Sequence, residues 1–439
     1  MSGLAAAGLG FAAMLVLIGL RMPVGLAMLL TGSAGYVYLA SLPAFLNYMK
    51  ATPFFLFSNY TLSVIPLFIL MGAFAERSGL ATDLFRAASG FVGHLRGGLA
   101  MAVIGACTGF GAICGSSVAT TATFGRAALP ELRRYRYADD LATGVIAVGG
   151  TLGILIPPSV ILVVYAISTE QNIAKLFQAA LVPGLLAALM YCIVIAIVAR
   201  RNPVAAPAQP PVPAEERWRA VVLVWPAMVV AVVVVGGIYG GVFTPTEGAS
   251  VGAVSMFVIG LLRGSLPWRE IKASLLQTAE TAALIFAILL GAEVFNAFLA
   301  LSQLPTQAAS FLGGAGLPPY AILVALLAFY ILLGAVMDEL AMILLTLPVF
   351  FPIVSALDLG MPPDEVAIWF GILVLIVVGI GLTAPPIGLN VFVVSAIAKD
   401  VPITETYRGV LPFILADVIR LGLCLAFPAL SLALVRWLS

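Results

Sequence analysis

Charge is what this chain has least of. Only 9% of its 439 residues are Asp, Glu, Lys or Arg, against about 25% in soluble domains, so a hydrated globular surface is excluded. A single histidine, His94, leaves no partner for histidine-dependent hydrolysis or a histidine proton relay. The four cysteines, Cys107, Cys114, Cys192 and Cys424, show no CxxC or Cys/His spacing, which removes a disulfide framework and a transition-metal site. No basic patch with interleaved aromatics points to nucleic acid. The first residues lack a basic segment followed by a small-residue cleavage site, so Leu4–Leu20 is expected to be a first membrane span and not a removed signal.

What is present is apolar: 62% of residues are hydrophobic, as an all-α polytopic membrane protein in a lipid bilayer requires. Apolar runs of about 20 residues fall near 4–20, 23–41, 55–75, 141–168 and 177–199, then near 220–241, 248–263, 274–298, 367–397 and 410–435. Between the third and fourth run of each set lies an apolar region with a small or polar turn, 98–129 at Gly115-Ser116-Ser117 and 319–354 near Met337-Asp338-Glu339. Each is expected to be a re-entrant helical hairpin.

Two apolar runs are interrupted in matching places. Gly381-Leu-Thr-Ala-Pro-Pro-Ile-Gly-Leu-Asn390 and Leu152-Gly-Ile-Leu-Ile-Pro-Pro-Ser159 each carry a proline pair, which removes helical hydrogen bonds and frees carbonyls. Hydrocarbon tolerates such a break only where it is buried in protein or lines a cavity. Paired breaks in corresponding halves point to a secondary transporter's binding site. Further matches, Phe68–Ala73 with Ala287–Ala292 and Leu181–Pro183 with Val410–Pro412, keep an offset of about 220–230 residues, as an internal duplication does.

Five spans per half make the second half enter the membrane inverted. The expected domains are a first inverted repeat at 1–199, a Pro/Ala-rich linker at 200–219 and a second repeat at 220–439, with broken helices at 141–168 and 367–397. If the linker is cytoplasmic, every Lys and Arg lies on that side except Lys50, Lys175, Arg436 and the intramembrane Arg420. The positive-inside rule then places both termini in the periplasm.

The residues suited to chemistry gather at the tips and breaks. Gly115, Ser116, Ser117, Thr120, Thr121 and Thr123 put backbone N–H groups and hydroxyls at a hairpin tip, suited to an anion and to a hard cation such as Na⁺. Thr383 and Asn390 flank the second break, where Gly381 and Gly388 leave the backbone accessible. Asp338 and Glu339 fall near the second tip. Glu170 and Glu247 read as solvated or helix-capping carboxylates, with Thr244 and Glu247 marking a helix start. Glu280 and Glu293 lie inside predicted spans, and Asp417 and Arg420, three apart on one helix face, read as an internal pair.

Gly115-Ser-Ser-Val-Ala-Thr, Leu152-Gly-Ile-Leu-Ile-Pro-Pro-Ser, Tyr239-Gly-Gly-Val-Phe-Thr-Pro-Thr-Glu, Met337-Asp and Gly381-Leu-Thr-Ala-Pro-Pro-Ile-Gly-Leu-Asn-Val-Phe occur in that order. With them the whole chain resembles the large membrane (M) subunit of a tripartite ATP-independent periplasmic (TRAP) transporter. The resemblance implies sodium-coupled uptake of an organic acid across the bacterial inner membrane by an elevator mechanism, with no enzymatic activity. It implies two partners, a small four-helix membrane (Q) subunit and a periplasmic substrate-binding (P) protein. It carries sodium sites onto Gly115, Ser116, Ser117, Gly334, Gly381, Thr383, Gly388 and Asn390. Ser116, Thr120, Pro157, Pro158, Ser159, Pro385 and Asn390 are the expected substrate contacts. Where the family has Ser before Gly-Ser-Ser and Thr before Pro-Pro, this chain has Cys114 and Ala384, which shifts one ion site onto backbone carbonyls or Thr383. The competing readings are a stand-alone sodium/dicarboxylate carrier, an intramembrane serine hydrolase lacking a base, and a structural scaffold subunit.

Overall fold

The computed structural model describes residues 2–314 and 317–438; Met1 and Ser439, the outer limits of the two expected repeats, lie outside them. All regular elements among the described residues are helices. Seven are long and apolar enough to cross a membrane, or eight when a pair bent by 45° is counted as one.

The chain opens with α1 (Gly3–Gly19), α2 (Val24–Leu39), α3 (Leu42–Phe57) and α4 (Val64–Arg77), the last entered through a 3₁₀ turn at Tyr60–Ser63. Next come α5 (Leu80–Val92), the hairpin α6 (Gly98–Cys114) and α7 (Ser117–Arg134), the bent pair α8 (Asp139–Leu155) and α9 (Val160–Ser168), and the long α10 (Ile173–Arg201). After α11 (Ala214–Tyr239) and α12 (Pro245–Leu262), the 35-residue α13 (Trp268–Ser302) leads to α14 (Leu304–Gly314). A second hairpin, α15 (Pro319–Gly334) and α16 (Glu339–Ser355), precedes a second broken pair, α17 (Pro363–Gly381) and α18 (Leu389–Ile397), and then α19 (Ile403–Ala426) and α20 (Ala429–Leu438). From α4 to α10 and from α13 to α19 the order of elements is the same.

The expected helix start at Thr244 is a full capping box: the Thr244 hydroxyl accepts from the Glu247 N–H, and the Glu247 carboxylate accepts from the Thr244 N–H. Glu170 is exposed, as expected of a solvated carboxylate, and Glu280 and Glu293 are exposed on α13. Helix pairs pack through small residues, as membrane helices do. Gly25 and Gly32 on α2 lie directly on the α13 backbone at Ile288 and Phe295. Gly72 on α4 brings that helix against Cys114 at the first hairpin tip.

Several boundaries depart from the sequence-based reading. Residues 42–57 form a helix that was not expected, because Asn47, Lys50 and the two prolines interrupt its apolar run; none of its residues is buried. The span expected at 55–75 occupies 60–77. Residues 76–86 and 299–307, which directly follow two of the expected apolar runs, contain the start of α5 and the junction of α13 with α14. α5 is amphipathic and therefore invisible to a search for continuous apolar runs; it buries Leu80, Leu84 and Phe85. The span expected at 410–435 is two helices separated at Phe427-Pro428, where proline cannot extend the first.

The linker expected at 200–219 is shorter, 202–213, and it is docked. Ala206 is fully buried. Its carbonyl accepts from the Gly97 N–H at 3.0 Å, the Ala205 carbonyl accepts from the Ala138 N–H at 3.0 Å, and the Gln209 N–H donates to Gly93 at 2.8 Å. The connection is thereby fastened to the bases of α6 and α8.

Candidate functional site

The first hairpin turns where α6 ends, at Gly115, whose φ of 64° is the left-handed conformation that glycine adopts without cost. A Cβ here would also lie 2.7 Å from the Pro158 carbonyl oxygen, so the backbone of the tip packs directly on the backbone of the first break. Ser116 begins α7 as its N-cap, accepting from the Ala119 N–H at 3.4 Å. Thr120 turns its hydroxyl back to donate to the Ser116 carbonyl at 2.7 Å.

Ser117 is fully buried and meets Asn390, also fully buried, at the start of α18. The Asn390 amide nitrogen donates to Ser117 Oγ at 2.8 Å and to the Ala147 carbonyl at 3.1 Å, and Asn390 Oδ1 lies 3.1 Å from Ser117 Oγ. One side chain thus ties α7, α8 and α18 together. Gly150 and Gly153 on α8 leave room for Thr121 and Thr120. The buried Thr121 hydroxyl has no hydrogen-bond partner, which leaves an oxygen beside the Ser117–Asn390 pair.

The second break is held against the second hairpin. Gly334 and Gly381 face each other so closely that a Cβ on Gly381 would lie 2.7 Å from the Gly334 backbone. The Ile387 N–H donates to the Ala335 carbonyl at 3.2 Å. Thr383 is fully buried and its hydroxyl donates back to the Ile380 carbonyl at 3.1 Å. Gly388, at φ 56°, lies under the Thr383 and Ala384 carbonyls. The Tyr407 hydroxyl reaches across from α19 to the carbonyls of Pro386 and Ile387, at 2.9 and 2.7 Å.

A sodium ion requires hard oxygen ligands. The two centres offer Ser117, Thr121 and Asn390 side-chain oxygens in one place and the Thr383 and Ala384 carbonyls in the other, a donor set that fits. At the second break the Thr383 and Ala384 carbonyls lie close to Gly388, and Ala384 itself has no hydroxyl to offer. Asp338 is used structurally, accepting from the Leu340 and Ala341 N–H groups as the N-cap of α16. Glu339 keeps one carboxylate oxygen buried without a partner.

The expected substrate contacts divide. Ser116 opens onto a cavity of about 400 Å³ between α4, α7 and α13, whose polar wall is Glu76, Arg126, Gln277 and Thr281. Pro157, Pro158 and Ser159 are buried, with Ser159 capping α9, and none of the three lines that cavity. Thr120 is also buried, whereas Pro385 is exposed. Glu76, Gln277 and Thr281 were not singled out from sequence; each is one polar residue in an apolar or mixed helix, and only the fold aligns them.

Asp417 and Arg420 are the expected internal pair, 2.8 Å apart and fully buried on α19. The Tyr191 hydroxyl of α10 donates to the other Asp417 oxygen at 2.7 Å, and Thr151 of α8 lies 3.3 Å from the same hydroxyl.

The family model for the tripartite ATP-independent periplasmic transporter, DctM component, matches residues 11–430. The chain is 40% identical over 384 residues to the C4-dicarboxylate TRAP transporter large permease protein DctM of Pseudomonas aeruginosa, covering 87% of each. It is 30% identical over 377 residues to the sialic acid TRAP transporter large permease protein SiaM of Vibrio cholerae, covering 86% of each. The crystal structure of the YdaH transporter of Alcanivorax borkumensis, described as having an unusual topology, superposes with a TM-score of 0.65 over 89% of this chain and 90% of that one. At 16% identity that likeness concerns the fold alone.

Proposed function

Because the chain belongs to the tripartite ATP-independent periplasmic transporter family as its DctM component, the large membrane subunit and not an enzyme, we propose that it performs sodium-coupled secondary active uptake of a small organic acid. The membrane is the bacterial inner membrane. The arginine-rich ends of the helices face the cytoplasm and both termini the periplasm, as the positive-inside rule favours. A periplasmic binding protein delivers the substrate, and a small membrane subunit completes the scaffold.

The observation that carries this reading is the contact between Ser117 and Asn390. It joins a hairpin tip from one half of the chain to a helix break from the other, and oxygen donors gather there with no catalytic base among them. Sodium at the Ser117–Asn390 and Thr383–Gly388 centres gives the hairpins, broken helices, α10 and α19 one rigid shape, which slides as an elevator past α2, α4, α12 and α13. A C4-dicarboxylate is the first substrate to test, since the relative at 40% identity bears that name.

Vesicles containing the permease with both partners should take up succinate when sodium is outside and not when potassium replaces it. Uptake without any binding protein would sink this reading in favour of a stand-alone carrier.

A further inference from the structure

The cavity that begins at Ser116 does not end at the tip. It shares Glu76 and Arg126 with a second cavity of about 260 Å³ between the end of α4, α5 and α7. Ser116, Thr123 and Arg126 lie along the same helix, and ten residues separate the first from the last, about 15 Å of helix rise. Arg126 donates to Glu76 at 2.8 Å, with side-chain exposures of 59% and 21%. Thr123 lines the second cavity, is 7% exposed, and its hydroxyl has no hydrogen-bond partner.

We propose that Arg126 and Thr123 form a carboxylate subsite on the path leading away from the tip, occupied by Glu76 in this structure and taken over by a carboxylate of the transported acid. The subsite rests on the transport reading above. Guanidinium presents a planar fork that matches a carboxylate with two parallel hydrogen bonds. Thr123, one turn earlier on the cavity wall, adds a buried hydroxyl that the protein itself leaves unused. Glu76 occupies the fork with a single donor at hydrogen-bond distance. An ion pair this accessible is weak, so a mobile carboxylate competes with it readily. Arg77, the neighbouring cation, is already engaged by Glu270 at 3.0 Å and Gln277 at 2.7 Å, which leaves Arg126 as the group to be exchanged. Glu76 keeps the path closed to anions until one of sufficient concentration displaces it.

The test uses the full permease in nanodiscs, in potassium chloride so that a sodium-dependent tip site stays empty. Thermal unfolding is followed by tryptophan fluorescence as succinate is added at constant ionic strength, with dimethyl succinate as the uncharged probe. Succinate should raise the unfolding temperature saturably and dimethyl succinate should not. In Glu76→Gln the half-saturating concentration should fall several-fold, as loss of a weak competing ion pair implies, and in Arg126→Gln it should rise by at least about tenfold, as removal of a charge-assisted hydrogen bond implies. Thr123→Val should raise it several-fold, and Arg126→Lys, which keeps the charge without the fork, should fall between wild type and Arg126→Gln. A succinate response identical in wild type and Arg126→Gln, or absent from both wild type and Glu76→Gln, overturns the subsite. Absence of sodium-dependent uptake by the wild-type permease with its partners, with the succinate response intact, would sink the transport reading and leave Arg126 as a carboxylate-binding group without a transport role.

Discussion

Asn390, in the second helix break, donates its side-chain amide to Ser117, at the tip of the first hairpin, across 273 residues of sequence. Both side chains are fully buried, so this bond sets the distance between two parts of the chain whose own ends are rigid helices. The proposed sodium centre depends on that distance.

Ser117→Ala and Asn390→Ala should each reduce sodium-dependent uptake by at least about tenfold while the protein still inserts and purifies normally. Ser117→Ala leaves the Asn390 bond to Ala147 in place, so its unfolding temperature should fall only slightly, by the equivalent of about 1 kcal/mol. Unchanged sodium dependence in both variants would remove these residues from the ion site.

Gly381→Ala drives a methyl group into the Gly334 backbone. The tip of the second hairpin must then move, at a cost of about 1–3 kcal/mol, and uptake should fall with it. Gly105→Ala is the matched control: nothing lies within 4 Å of its added methyl group, and it should raise stability by about 0.5–1 kcal/mol. Equal effects of the two substitutions on thermal unfolding would contradict the close packing of Gly334 on Gly381.

The hairpin tips and breaks were legible in sequence because Gly-Ser-Ser and Pro-Pro interrupt otherwise continuous apolar runs, and nothing else explains such interruptions at membrane depth. The helices α3, α5 and α14 were not legible as spans. α5 interleaves its buried Leu80, Leu84 and Phe85 with Thr82, Asp83 and Arg86, which breaks any continuous apolar run, and α3 mixes apolar residues with Asn47, Lys50 and two prolines. Of the cavity wall, Thr123 was visible as part of the tip cluster, and Arg126 only as one of many basic residues. Its closeness to Glu76, 50 residues away, is a tertiary fact. The signal that sequence did contain was a threonine and an arginine three residues apart in a helix of small residues, a spacing that places both on one face.

Arg420→Met should be severely destabilising, by about 3–5 kcal/mol, because it strands the buried Asp417 carboxylate. The double variant Asp417→Leu with Arg420→Met should recover most of that loss, since the pair is close but poorly aligned: Arg420 Nη2 and Asp417 Oδ1 complete no hydrogen bond between them. Thermal unfolding of the single and double variants decides it. If the double variant is as unstable as the single one, the pair contributes through more than mutual compensation.

Tyr407→Phe removes the hydroxyl that holds two carbonyls of the second break. The expected loss is about 0.5–1.5 kcal/mol in unfolding free energy, accompanied by a higher half-saturating sodium concentration for uptake. A stability loss with an unchanged sodium requirement would assign Tyr407 to folding alone.

The docked linker between the two halves bears on how this permease can be engineered. A Pro/Ala-rich segment invites the insertion of a fluorescent protein or a flexible spacer, on the assumption that it is slack. Here the backbone at Ala205, Ala206 and Gln209 is already bonded to Ala138, Gly97 and Gly93. An insertion at Ala206 would unbutton the footing of the first hairpin, and the fusion would report on a loosened molecule. One placed at Val204, which is 84% exposed, leaves those three bonds intact.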